Sequence, residues 1–158
     1  MADYYADAKS DAKTCAQEYL DTIFQQVLDE GFGSVSDDLL NDYSDGDSYH
    51  HENHVDRDYN LSEAAEILNE LSQYEETDSG LWQGLEPRRA IAAQAAYTYG
   101  NAVYSLWQEI IERINDDSEL EDLLNERVDA EDDVNTVGNI PGLEVQIRER
   151  ISAIISEF

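Results

Sequence analysis

The chain has 158 residues, of which 37 are Asp or Glu and nine are Lys or Arg, for a formal net charge of −28 at pH 7. That excess excludes nucleic acid and anionic membranes as direct partners on Coulomb grounds and leaves a basic partner, abundant cations or a high-salt solvent. The length suits one domain, 1–158, with a real core, and a single cysteine, Cys15, precludes a disulfide framework within the chain.

Met1 to Tyr5 shows no basic segment followed by an apolar run, so no signal peptide is expected, and the cytoplasm of the producing or invaded cell is the expected location. From Asp3 to Glu30 the pattern predicts one helix. Tyr5, Ala8, Ala12, Cys15, Ala16, Tyr19, Ile23 and Val27 recur on one side, and Gly31 marks the stop. Cys15 on that side reads as a packed thiol. On the opposite side Asp3, Asp7, Asp11, Glu18, Asp21 and Asp29 fall within a stripe about 80° wide and about 39 Å long. Their mean separation of roughly 7 to 8 Å is close to the phosphate spacing along one nucleic-acid strand. An ordinary solvated helix face would mix Lys with Glu at i,i+4, whereas Lys9 and Lys13 both lie outside the stripe.

A short helix is expected over Asp37 to Tyr43, followed by an acidic loop from Ser44 to Asp58 that holds all three histidines. His50, His51, Glu52, His54, Asp56 and Asp58 are potential metal ligands, but the spacing fails the zinc-protease pattern. As a calcium loop, Asn41 to Glu52 puts Tyr43 where an oxygen ligand is required. No metal and no cofactor are expected. Asn60 and Glu63 form a capping-box pattern that opens a helix running through Ala64, Leu68, Leu71 and Tyr74. The Thr77–Glu86 connection, with Leu81, Trp82 and Leu85, reads as an apolar plug at one end of the bundle.

The longest element runs from Arg88 to Asn115. Its middle, Ala90 to Gln108, contains no Asp, Glu, Lys or Arg, and Ile91, Ala95, Ala96, Tyr99, Ala102, Val103, Leu106, Ile110 and Ile114 keep helical spacing for about seven turns. The other face is polar but uncharged, and a helix without charge on any side is usually enclosed by others. Gln94, Asn101, Gln108 and Gly100 make it too polar for hydrocarbon. Ser118 and Glu121 repeat the capping-box pattern before a helix through Leu123, Leu124 and Val128. Asp129 to Thr136 reads as a turn, and Pro141 starts a last helix with Leu143, Ile147, Ile151, Ile154, Ile155 and Phe158 on one face. The expected fold is all-α, a compact bundle of five to six helices around a buried central helix at about 88–115.

No nucleophile elbow or phosphate-binding glycine loop is present, and carboxylate pairs are too common for any one to indicate catalysis, so no enzyme is expected. The expected partner-binding groups are the stripe, the loop carboxylates Asp45, Asp47, Glu52, Asp56 and Asp58, and Asp116, Asp117, Glu119 and Asp122. With about 8,000 Å² of folded surface, the chain averages roughly one net charge per 290 Å². Duplex DNA has roughly one per 100 Å². Mimicry of DNA therefore requires clustering, which the first-helix stripe, the Ser44–Asp58 loop and the run from Asp116 to Asp133 supply.

In small size, helical content, acidity and scarcity of lysine, the chain resembles the DNA-mimic anti-restriction and anti-CRISPR proteins of phages and mobile elements. The resemblance is one of class, without a shared motif. It implies inhibition of a restriction–modification or Cas complex through occupation of its basic DNA groove, often by a dimer. The Leu143 to Phe158 face can be shared with a second copy. Two other readings stand beside it: salt adaptation, which would spread carboxylates over every exposed face, and an acidic adaptor or chaperone for basic proteins.

Overall fold

The computed structural model describes residues 3–36, 59–75 and 86–158. The fold is all-α. Helices run over Tyr4–Glu18 (α1), Leu20–Glu30 (α2), Leu61–Glu70 (α3), Pro87–Asp116 (α4), Ser118–Glu131 (α5) and Ile140–Glu157 (α6). Single 3-10 turns cover Ser72–Tyr74 and Val137–Asn139, and no strand occurs among the described residues. The expected helix at Asp37–Tyr43, the histidine-bearing loop and the apolar connection from Thr77 to Leu85 lie outside the described residues.

Local chemistry sets most boundaries. Asn60 Oδ1 accepts the Glu63 N–H at 2.8 Å while the Glu63 carboxylate accepts the Asn60 N–H, so the capping box forms as expected. Gly31 follows α2 with φ 98, a conformation that side-chain-bearing residues rarely adopt, and its N–H closes onto the Val27 carbonyl at 3.0 Å. Pro141 sits in the first turn of α6.

Three expectations are corrected. The helix expected from Asp3 to Glu30 is two helices, broken at Tyr19, whose N–H is shared between the carbonyls of Cys15 (3.3 Å) and Ala16 (3.2 Å). The cap of α5 is Asp117, one residue ahead of Ser118, because its carboxylate accepts the Leu120 N–H at 2.9 Å. That helix also continues to Glu131, taking in residues expected in a turn.

The chain's contacts divide into two compact units, Met1–Ala12 with Asp38–Trp107 and Lys13–Asp37 with Gln108–Phe158, so that α1 and α4 each contribute residues to both. In the first unit the core is rich in alanine, with Ala8, Ala12, Ala64, Ala95, Ala96 and Ala102 fully buried alongside Ile67, Leu71, Val103 and Trp107. Small side chains on facing positions let helices approach closely. Polar bonds fix the register. The Tyr4 N–H donates to Glu70 Oε1 at 3.3 Å, and Asn101 Nδ2 donates to the Tyr74 carbonyl at 3.2 Å. From Ala92 to Gln108 no residue is exposed, so the uncharged run is the enclosed part of α4. Ile91, which the spacing placed on the apolar stripe, lies beyond that stretch and is 39% exposed.

The second unit is built from branched aliphatics. Ile23, Ile110, Ile114, Leu120, Ile147, Ile151 and Ile155 are fully buried, each contributing about 1.5–3 kcal/mol relative to exposure. α6 packs on α5 and on α2. Arg127 meets Glu144 and Arg150 meets Asp117, so α5 and α6 run antiparallel. The Asn115 side chain holds both backbone groups of Val35, donating to its carbonyl at 2.9 Å and accepting its N–H at 3.1 Å. Leu143, Ile147, Ile151, Ile154, Ile155 and Phe158 are all buried in this unit, so the face expected to serve a second copy is already filled by the chain itself.

Candidate functional site

Each acidic region is best judged by what its carboxylates already bind. In the first unit Asp3 Oδ1 accepts the Ala6 N–H at 3.0 Å, which makes Asp3 a cap for the start of α1. Asp7 is exposed in the first turn, where the helix dipole favours negative charge. Asp11 is half-buried and accepts the Tyr99 hydroxyl at 2.5 Å. Burial pushes the Tyr4 phenol above its ordinary range, and the nearby carboxylates Glu63 and Glu66 push it further, so α3 sets a negative field at the base of α1.

The remaining stripe residues belong to the second unit. Glu18 is exposed at the end of α1. Asp21 is exposed and ion-paired with Arg148, whose guanidinium also lies 5.9 Å from the centre of the Phe24 ring. Asp29 is exposed and accepts Gln25 Nε2 at 2.9 Å. The six carboxylates expected along one helix therefore divide among the Asp3 cap, α1 and α2, and between two units.

Asp116 is exposed as the last residue of α4. Asp117 is half-buried and doubly engaged. Besides capping α5, it receives Arg150 Nε at 2.9 Å and Nη2 at 2.7 Å, a two-pronged guanidinium–carboxylate pair. The Arg150 hydrogen bonds hold the Asp117 carboxyl below the usual carboxylate range, against the opposing effect of burial, and Asp117 in turn raises the Arg150 guanidinium. Glu119 reaches the same arginine at 3.2 Å. Arg127 ties Glu144 (3.0 Å) and Glu131 (3.1 Å) together. Asp122 is exposed and has neither ion pair nor side-chain hydrogen bond among the described residues.

Asp122 has company within the acidic run from Asp116 to Asp133. On α5, Glu119, Asp122, Glu126 and Asp129 follow at spacings of three and four, a stripe about 80° wide and about 15 Å long. All four are exposed, and Glu126 and Asp129, like Asp122, lack an ion pair among the described residues. Asp129 joins this row because α5 runs on to Glu131, through residues whose composition reads as a turn. Counting described residues alone, the second unit carries nineteen Asp and Glu against five Lys and Arg, and the first eight against three. Over their full ranges the two units are alike, with twenty acidic against five basic residues in the second and seventeen against four in the first, and within the second the acids are densest from Asp116 to Asp133. A cleft there is lined by Glu109, Glu112, Asp116 and Glu157 around Arg113 and Arg150. Excess negative charge of this kind favours guanidinium and ammonium groups as neighbours, and among the described residues no group of His, Cys, Asp and Glu could hold a metal ion. Asp45, Asp47, Glu52, Asp56 and Asp58 lie outside the described residues.

What these features define is an acidic all-α protein in which, among the described residues, no helix is long and apolar enough to cross a membrane. Comparison with protein-family models, curated proteins and solved structures finds no match to this chain.

Proposed function

We propose that this protein is a DNA mimic, an inhibitor that occupies the basic DNA groove of a host defence enzyme of the restriction–modification or CRISPR type. The observation that carries this reading is the outer ridge of α5. There Asp122, Glu126 and Asp129 stand exposed, with no ion pair among the described residues, on a helix anchored by its cap and by Arg127 and Arg150. Holding like charges in a row costs stability unless an opposite surface is to meet them. A rigid row presents that charge without the ordering cost of a disordered acidic tail. The test is inhibition of DNA cleavage by a panel of restriction and Cas nucleases, with duplex DNA as competitor and salt graded from 50 to 500 mM. Mimicry requires competition with DNA and a steep fall of affinity with salt. Inhibition indifferent to both would overturn it.

Salt adaptation remains a second reading because α3 also favours it: Glu63, Glu66 and Glu70 lie on that helix without a single basic residue. On this reading the acidity serves solvent rather than a partner. The protein would then unfold below molar salt, where a mimic stays folded.

A further inference from the structure

We draw no further inference here: the strongest candidate, the cleft at the start of α4 lined by Tyr59, Asn60, Arg88, Arg89 and Ala92, is a helix N-terminus with two exposed arginines, and no second observation there points to a ligand.

Discussion

The two ends of one short helix use the same side chains in opposite ways. At the start of α5, Asp117 is half-buried, caps the helix and grips Arg150, so its charge is consumed in building the second unit. Along the outer ridge, Asp122, Glu126 and Asp129 bind nothing among the described residues. Composition cannot separate these groups, since all are carboxylates on one acidic segment. Partners can, and the contrast predicts that substitutions a few residues apart will divide cleanly between folding and binding.

The largest effect on stability is expected from Asp117→Ala. It removes a cap, usually about 1 kcal/mol, and leaves the Arg150 guanidinium half-buried without its main partner, so the total should be about 2–4 kcal/mol in urea unfolding. Asp117→Asn keeps an acceptor for the Leu120 N–H and should lose about half as much. Its pH dependence has a definite sign. The Arg150 hydrogen bonds hold the folded-state carboxyl below its ordinary range, so the stabilisation is fully present above the unfolded-state pKa and disappears as pH falls through the folded one. The gap between wild type and Asp117→Asn should therefore be constant from pH 7 to about 5 and close below pH 4. A gap that widens on acidification would mean that Arg150 does not hold this carboxylate.

The next effect sharpens the comparison inside the first unit. Asp7 and Asp11 are one turn apart on α1, yet Asp11 takes the Tyr99 hydroxyl while Asp7 takes none among the described residues. Tyr99→Phe should cost about 1.5–3 kcal/mol, the range for hydrogen bonds to a charged group. Asp11→Ala should cost a similar amount, whereas Asp7→Asn should stay within about 0.5 kcal/mol. Equal costs for Asp7 and Asp11 would show that the short bond contributes nothing.

These distinctions mark what a sequence can carry. The enclosed run of α4, the Asn60–Glu63 box, the Gly31 stop and the Pro141 start are set by neighbours within a turn or two, and all were legible as patterns. The break at Tyr19 was not, because neither glycine nor proline stands there and the apolar period continues through it. Nor was the engagement of the carboxylates. Asp11 and Tyr99 are 88 positions apart, Asp21 and Arg148 are 127 apart, and Asp117 and Arg150 are 33 apart. A helical wheel shows which residues share a face, but which of them meet a base or a hydroxyl is decided by tertiary packing. The stripe drawn along an ideal helix thus mixed engaged and unengaged groups, and Asp129 joins the row of Asp122 and Glu126 only because α5 extends past Val128 to Glu131.

The smallest effect on stability is the one that bears on function. The triple substitution Asp122→Asn, Glu126→Gln and Asp129→Asn removes three aligned charges and no ion pair among the described residues, so the fold should change by no more than about 0.5 kcal/mol. Its sign should be positive at low salt, since like charges three and four residues apart repel by about 0.2–0.5 kcal/mol each, and the gain should vanish in 1 M salt. Against a susceptible nuclease the same variant should slow association at least tenfold, because complementary fields govern encounter. The control is Glu149→Gln on α6, also exposed and without an ion pair among the described residues. Glu131 and Glu144 are unsuitable as controls because Arg127 holds both. Equal slowing per charge in both variants would reduce the mechanism to net charge. A stability loss above 1 kcal/mol in the triple variant would show that the ridge is committed to the fold and cannot be the surface offered to a partner.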